Sequence, residues 1–229
     1  MLKKSRQRPK IPKIRLIKRR EIWTLTLWGW GIASILVASL IFFIITHVQP
    51  FLAVTSPIKS AELLVVEGWL PDYAIQQALT EFKSGAYRQI ITTGGTIDKG
   101  SYLIPYKNFA EVSALTFKKL GLETDKVIAV PTPFVIKDRS YESAAEFGRW
   151  LSKANFQIES INLFSGDVHT RRSWLLFKKV LAPKIKVGVI AAKTQDYNPN
   201  KWWVSSQGVR SVINEIIAYI YAQFVNWKA

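Results

Sequence analysis

An uninterrupted apolar run near the amino terminus constrains this chain more than any other feature. Residues 22–46 contain no Asp, Glu, Lys or Arg. As a helix, this run would be about 37 Å long, enough to cross the roughly 30 Å hydrocarbon core of a bilayer. Trp23, Trp28 and Trp30 stand at one end, where indole rings favour the headgroup level. The pattern predicts a transmembrane signal anchor over residues 22–48.

Basic residues are concentrated just before this apolar run. Residues 1–21 hold ten Lys and Arg residues and a single acid, Glu21. A charge block of this kind could bind nucleic acid. Its place beside a membrane segment instead favours a cytoplasmic tail under the positive-inside rule, so we expect no nucleic-acid partner. The lipid bilayer is the expected partner. In a bacterial inner membrane, the rest of the chain would then lie in the periplasm.

A cleaved signal peptide is the alternative interpretation of the amino terminus. Its apolar core would be shorter, about 7–15 residues, with small residues at the cleavage point. Pro50, Phe51 and Leu52 follow the run here, and they suit cleavage poorly. The sequence therefore favours an anchor that is retained.

The rest of the chain has the length and pattern of one α/β domain. Residues 49–60 are predicted to form a linker, and residues 61–229 the domain. Predicted strands cover 61–66, 89–93, 127–130, 161–165 and 186–190, and predicted helices cover 72–84, 106–120, 140–154, 170–181 and 208–227. This alternation indicates a Rossmann-like, three-layer fold with a mostly parallel sheet. The chain has no cysteine, which excludes disulfides, thiol catalysis and thiolate metal sites.

Residues capable of chemistry cluster where the predicted strands end. They are Glu67, Gly68 and Trp69 after the first strand, Thr93, Gly94 and Gly95 after the second, Ser140 and Glu142 after the third, and Ser165, Gly166, His169 and Arg172 after the fourth. In open parallel sheets, ligands bind at the carboxyl ends of the strands. The pattern predicts one composite ligand-binding site.

His169 and Glu142 are the candidate catalytic residues of this site. His169 could act as acid or base, with Glu142 orienting it. The alternatives are a capping or packing role for His169, and a favourable helix-dipole interaction for Glu142 in the first turn of its helix. Arg172 could turn inward as a fork for phosphate or carboxylate, which leaves Arg171 as a solvated surface charge.

Glycines and tryptophans in the same region have two interpretations each. Gly94 and Gly95 could let the backbone approach an anion, or they could form a tight turn. Trp202 and Trp203 could close over a ligand, or one of them could fill the core beneath the terminal helix. That helix carries a stripe of apolar residues at helical spacing: Val209, Val212, Ile213, Ile216, Ile217, Ile220 and Phe224.

Two nucleotide-binding patterns are missing from the sequence. No G-x-G-x-x-G fingerprint is present, and no lysine follows the glycine pair as in a Walker loop. Dinucleotide or nucleoside-triphosphate use by those routes is unsupported. The sequence names no cofactor or protein partner and predicts no metal ligands.

The order of the motifs resembles the YdcF/SanA/ElyC family over about residues 61–190. Gly68 matches a glycine after the family's first strand, and Thr93-Gly94-Gly95 a Ser-Gly-Gly-like motif. The segment 140–143 matches a Thr-x-Glu-Asn-like helix start, and the segment 165–172 matches a Thr-Ser-x-Tyr-His-Met-x-Arg-like motif. The departures are Ser143, Val168 and Thr170, which replace the amide, the tyrosine and the methionine.

The resemblance implies a Rossmann-like fold and a role in the cell envelope. Anchored members of the family are linked to peptidoglycan or envelope polysaccharide metabolism, and a soluble member to binding of S-adenosylmethionine. The first hypothesis is an envelope-biogenesis protein that binds an anionic small molecule or a lipid-linked glycan precursor. The alternatives are a phosphoester or glycosyl-phosphate hydrolase with His169 as acid or base, and a methyltransferase-like protein that binds S-adenosylmethionine.

The charge asymmetry around the apolar run makes a testable prediction about topology. A reporter that is active only outside the cytoplasm, fused to the carboxyl terminus, should be active. The control is a reporter that works only in the cytoplasm, fused at the same position. The reverse pattern of activity would overturn the orientation.

Overall fold

The structure is a computed structural model, and it describes residues 23–98, 105–154 and 156–225. The basic tail predicted over 1–21 and the end of the last predicted helix at residue 227 lie outside the described residues. The chain divides into two units, Met1–Ile41 and Phe42–Ala229. The second unit contains the last part of the first helix and the whole α/β domain.

Helix α1, Leu27–Leu52, is long and apolar enough to span a membrane. It continues beyond the predicted boundary at residue 48, and it includes Pro50. Residues 49–52 are therefore helical and do not belong to the predicted linker. Gln49 and Leu52 are buried against the domain, which accounts for the extra turn. The segment that follows α1 is also attached to the domain, because Ser56 pairs with Val189 in an antiparallel bridge.

The domain is a five-stranded, wholly parallel sheet with helices on both faces, which confirms the predicted fold class. The strands are β1 Leu63–Glu67, β2 Gln89–Gly94, β3 Val127–Pro131, β4 Ser160–Gly166 and β5 Lys186–Ala192. The helices are α2 Asp72–Ser84, α3 Phe109–Lys119, α4 Arg139–Lys153, α5 Thr170–Leu181 and α6 Ser206–Phe224. The strand order is β3-β2-β1-β4-β5, so the direction of strand succession reverses between β1 and β4.

Two hydrophobic layers hold the helices against the sheet. Alternate residues of each strand face opposite layers, as the two-residue period of a strand requires. Leu64 and Val66 pack with Ile75 and Phe117 on the face covered by α2 and α3. Leu63 and Val65 pack on the other face with the residues of α4 and α5 that include Phe147, Leu151, Phe177 and Leu181. Burial of both faces explains why the strands are almost continuously apolar.

A third apolar cluster joins the end of α1 to the domain. Its buried members are Leu52, Val168, Trp202 and Val212. Trp202 comes from a 3₁₀ segment, Pro199–Val204, and is only 6% exposed, whereas Trp203 is 40% exposed. One tryptophan of the pair therefore fills the core, as one of the two interpretations proposed.

The apolar stripe predicted on α6 is divided between two environments. Val212 is fully buried, and Ile216 packs against the third cluster. The remaining members of the stripe are exposed: Val209, Ile213, Ile217, Ile220 and Phe224. Only one side of the predicted stripe therefore contributes to the core of the described chain.

Asn162, in the middle of β4, holds the chain that leads from α1 into β1. Its side-chain oxygen accepts a hydrogen bond from the Ile58 amide at 2.8 Å, and its amide nitrogen donates to the Ile58 carbonyl at 3.0 Å. The same nitrogen donates to the Tyr87 hydroxyl at 2.8 Å. Asn162 is 1% exposed, so removal of its side chain would leave buried polar groups unsatisfied.

We expect Asn162→Ala to lower the free energy of unfolding by about 2–3 kcal/mol, since buried backbone groups would lose their partner. The measurement is denaturant unfolding of the detergent-solubilised chain, followed by tryptophan fluorescence. Gln89→Ala is a suitable control, because the Gln89 side chain makes one exposed hydrogen bond to the Asp125 carbonyl. Equal losses of stability in the two variants would contradict the role of Asn162.

Candidate functional site

A cavity of about 480 Å³ lies at the carboxyl ends of the strands. It adjoins the ends of β1 and β4, where the order of strands reverses, which is where ligands bind in open α/β sheets. The sequence-predicted residues on its lining are Glu67, Trp69, Thr93, Gly94, Gly95, Ser140, Gly166 and His169. The topology thus brings together residues that are up to about a hundred positions apart.

Glu67 is a carboxylate buried at the floor of this cavity. It is 2% exposed. It accepts hydrogen bonds from the Ser165 hydroxyl, at the end of β4, and from the Ser173 hydroxyl on α5 at 2.8 Å. These two donors compensate part of the cost of burying a carboxylate. Ser165 therefore positions Glu67 by this hydrogen bond and does not itself border the cavity.

His169 is held between two carboxylates. Its Nδ1 atom lies 2.9 Å from Glu215 Oε1, and its Nε2 atom lies 3.7 Å from Glu67 Oε1. The Trp69 ring packs edge-on against the imidazole, with centroids 4.8 Å apart. Nε2 is buried and has no hydrogen-bond partner within the described chain. A buried imidazole nitrogen without a partner is available to a ligand group that enters the cavity.

Glu215 of α6 takes the place that the sequence assigned to Glu142. The expectation that Glu142 orients His169 is wrong, because the Glu142 carboxylate binds Arg149 on its own helix. Glu215 could not be predicted from the sequence, because it lies 46 residues from His169 and in no recognised motif. One signal was available, since Glu215 is the only acid in α6.

The guanidinium group of Arg172 is not free to bind an anionic ligand. Its Nε atom donates to Glu215 Oε2 at 2.8 Å, and a terminal nitrogen donates to Glu215 Oε1 at 3.0 Å. A second terminal nitrogen lies 3.4 Å from the Ser140 hydroxyl. The predicted partner of Arg172, a phosphate or carboxylate from a ligand, is instead a carboxylate of the protein. A terminal nitrogen of Arg172 also lies 2.8 Å from His169 Nδ1, so Arg172 is a positioning residue for both Glu215 and His169.

Arg171 is also not the solvated surface charge that was expected. Its guanidinium lies 3.9 Å from the centre of the Phe51 ring and donates a hydrogen bond to the Phe51 carbonyl. Both contacts are with the last turn of α1. Arg171 therefore joins the end of α1 to α5.

Two glycines act through close packing of the backbone. A Cβ on Gly68 would come within 2.5 Å of the Phe109 carbonyl oxygen, so any larger residue would push α3 away from the site. Gly68 donates its amide to the Thr93 carbonyl at 2.6 Å. A Cβ on Gly166 would meet the Trp69 ring at 2.9 Å. Gly68 and Gly166 thus set the positions of α3 and Trp69, and only Gly166 borders the cavity.

Thr93 contributes a second polar atom with no partner. It is 1% exposed, and its hydroxyl makes no hydrogen bond within the described chain. Because Thr93 borders the same cavity as His169, the site presents both a hydroxyl and an imidazole nitrogen whose hydrogen-bonding capacity is unused.

Acidic groups outnumber basic groups on the cavity lining. Among the described residues that border it, the acids are Glu67, Asp167, Asp196 and Glu215, and Arg139 is the one permanent cation. Arg139 is exposed and pairs with Asp98 at 2.7 Å. No group of three or more His, Asp or Glu side chains in the described chain is placed to hold a metal ion.

Asp167 connects the cavity wall with the end of α1. It accepts hydrogen bonds from Gln49 Nε2 at 2.8 Å and from the Tyr197 hydroxyl. Burial raises the pKa of the Asp167 carboxyl, and these two donors offset only part of that effect. Burial, together with the hydrogen bond to Asp167, also raises the pKa of the Tyr197 hydroxyl.

Comparison with known proteins adds no family assignment. No protein-family model matches the sequence, and no curated protein matches it. One solved structure found by fold comparison is alanine racemase from Bacillus anthracis with bound L-Ala-P. It is 14% identical over 80% of this chain, which spans 46% of the racemase chain, with a TM-score of 0.19. A likeness at that level carries no argument about fold or function.

The charge cluster around Glu215 makes a prediction about stability and pH. Burial would raise the pKa of the Glu215 carboxyl, but hydrogen bonds from His169 and Arg172 and their positive charge hold it at about 2, below the ordinary value of 4.5. A carboxyl whose pKa falls on folding stabilises the protein above the unfolded-state pKa, and this stabilisation is lost as the pH falls through the folded-state value.

We expect Glu215→Gln to lower the free energy of unfolding at neutral pH by about 3 kcal/mol. The difference between parent and variant should shrink as the pH falls from about 5 towards 2. Glu142→Gln is the matched control, since it removes another carboxylate paired with an arginine, but on the surface, where the loss should be about 1 kcal/mol or less. A difference for Glu215→Gln that stays constant with pH would contradict the assignment.

Proposed function

We propose that this chain is a membrane-anchored envelope protein that binds the carbohydrate part of a lipid-linked glycan in the cavity at the strand ends. The observation that carries the proposal is the lining of the cavity. It combines a partly exposed tryptophan, unpartnered polar atoms and four acidic side chains with a single exposed cation.

Aromatic and acidic groups suit a ligand rich in hydroxyls. Carboxylates accept hydrogen bonds from sugar hydroxyls, and the apolar face of a pyranose packs against an aromatic ring. Trp69 is 41% exposed, so part of its ring is free to make such a contact. Of the two ligand classes expected from the sequence, the glycan therefore fits better than a free anion, because the lining offers an anion one permanent cation, Arg139, which is already paired with Asp98.

The anchor supports an envelope location. Helix α1 is long and apolar enough to cross a bilayer, and the ten basic residues before it favour the cytoplasm. The domain would then face the periplasm of a bacterial cell, where glycans are assembled on lipid carriers. The motif order shared with the YdcF/SanA/ElyC family is consistent with this placement.

Trp69→Ala tests the glycan hypothesis. The probe is an N-acetylhexosamine disaccharide, titrated into the detergent-solubilised chain by calorimetry. Loss of the ring should weaken binding about tenfold, equivalent to about 1.4 kcal/mol. Trp203→Ala is the matched control, because Trp203 is 40% exposed but does not border the cavity.

Inorganic pyrophosphate provides the opposing probe in the same titration. Tighter binding of pyrophosphate than of the disaccharide, with no effect of Trp69→Ala, would contradict the glycan hypothesis. It would favour the anionic small molecule that the sequence also allowed.

A hydrolase is the second candidate, and one observation favours it. His169 Nε2 is unpartnered, it lies 3.7 Å from Glu67 Oε1, and Glu215 holds the opposite side of the ring. An imidazole oriented by one carboxylate and facing another could transfer protons. No hydroxyl of the described chain is hydrogen-bonded to Nε2, so the nucleophile would have to be water. This is why binding remains the first proposal.

Phosphate release from a hexosamine 1-phosphate separates binding from hydrolysis. A binding protein releases no more phosphate than the buffer does. In a hydrolase, His169→Ala should reduce turnover about 100-fold or more while leaving KM nearly unchanged.

A further inference from the structure

A second recess, of about 210 Å³, adjoins the candidate site beside the loop between β3 and α4. Gly95, Thr96 and Arg139 border both this recess and the main cavity, so the two spaces meet at these three residues. The junction is open at Gly95, where an added Cβ would come no closer than 3.9 Å to any described residue beyond its chain neighbours. A ligand in the main cavity can therefore extend into the recess.

One wall of the recess consists of three consecutive apolar residues, Phe134, Val135 and Ile136. Phe134 is 70% exposed and Ile136 is 90% exposed, so both side chains are free to contact a ligand. Exposed apolar side chains grouped beside a ligand cavity are typical of an interaction surface. At roughly 30 Å³ for each non-hydrogen atom, the recess holds about seven of them, which is the size of a short hydrocarbon segment.

Polar side chains of the recess are already paired within the protein. The Thr132 hydroxyl lies 3.0 Å from the Ser143 hydroxyl, and Thr132 is 5% exposed. Asp98 accepts a hydrogen bond from Arg139. Because these groups have partners, an uncharged apolar group can occupy the recess without leaving them unsatisfied.

Arg139 lies at the junction and is the one permanent cation among the described residues that border either space. Its guanidinium lies 2.7 Å from the Asp98 carboxylate, and the two side chains are 63% and 60% exposed. Exposed ion pairs of this kind contribute little to stability, because water competes for both partners. A phosphate group can therefore replace Asp98, whose carboxylate would then be solvated. Arg139 is also the first residue of α4, and the partial positive charge of a helix amino terminus favours an anion.

We infer that the recess receives the first carbons of an aliphatic chain, and that Arg139 binds the phosphate joining this chain to the sugar in the main cavity. The acids and Trp69, then Arg139, then the apolar wall follow the order of carbohydrate, phosphate and hydrocarbon in such a ligand. A free anion would depend on Arg139 alone, whereas a phosphate with both substituents bound does not. The inference rests on the proposed function, and it specifies the ligand as a sugar phosphodiester of an aliphatic alcohol.

Two phosphodiesters of the same sugar separate the effect of the chain from the effect of the charge. They are the isopentyl and methyl esters of N-acetylglucosamine 1-phosphate, which carry equal charge. Each would be titrated by calorimetry into the full chain held in phosphatidylcholine nanodiscs, so that no detergent chain competes for the recess. The isopentyl ester should bind about tenfold more tightly than the methyl ester, because its additional carbons leave water.

Phe134→Ala tests the apolar wall. This variant should lose most of the advantage of the isopentyl ester and should bind the methyl ester as the parent chain does. Phe134 is largely exposed, so its removal should not affect folding. Phe224→Ala is the matched control, because Phe224 is 86% exposed and borders neither space.

Arg139→Gln tests the phosphate position. Loss of the charge-assisted hydrogen bond should weaken binding of both esters about tenfold and leave binding of the neutral disaccharide unchanged. Arg149→Gln is the matched control, because Arg149 is an exposed arginine of the same helix, is also paired with a carboxylate, and borders neither space.

Equal affinities of the two esters for the parent chain would overturn the inference, as would an Arg139→Gln variant that binds both esters as tightly as the parent. A chain that binds the disaccharide through Trp69 but does not distinguish the esters would retain the proposed function and lose the recess. A chain that distinguishes the esters but does not bind the disaccharide would retain the recess and contradict the proposed function.

Discussion

Parallel pairing of β1 with both β2 and β4 is the constraint on which the rest of this molecule depends. Because all five strands run the same way, their carboxyl ends share one edge, and the reversal of strand order opens a crevice there. Glu67 reaches that crevice from β1, where the hydroxyl of Ser165 from β4 meets it. Neither residue could form this contact in a sheet of different order.

The two buried carboxylates of the site, Glu215 and Glu67, differ in how far their partners compensate the loss of water. Glu215 is balanced by His169 and Arg172, so its charge is compensated by a neighbouring cation. Glu67 is more deeply buried, at 2% exposure, and its hydrogen-bond donors are the neutral hydroxyls of Ser165 and Ser173. Arg172 attracts Glu67 through its charge, but its shortest carboxylate hydrogen bonds go to Glu215, so burial of the Glu67 carboxylate is less fully compensated. Sites that retain such groups commonly use them, which is why Glu67 and His169 stand at the centre of both functional proposals.

Local pattern was sufficient for the fold and for part of the site. The apolar runs of β1, β4 and β5 are buried on both faces, so their composition alone indicates parallel strands, and helices α2 and α5 have the predicted bounds. The residues after β1, β2 and β4 could be grouped because parallel strands end at one edge. Glu215 could not be found this way, since α6 reaches the site only through tertiary packing. The extension of α1 beyond Pro50 was also missed, because a proline usually marks the end of a helix, and here burial of Leu52 overrides that tendency.

The hydrogen bonds from Gln49 to Asp167 and from Trp202 to Ile45 hold the last two turns of α1, residues 45–52, against the domain. A domain on a flexible tether sweeps a volume set by the length of its linker. These turns are instead part of the fold, because Gln49 and Leu52 are buried in it. A change in the direction of these last turns would therefore also move Asp167 and Trp202, which follow β4 and β5.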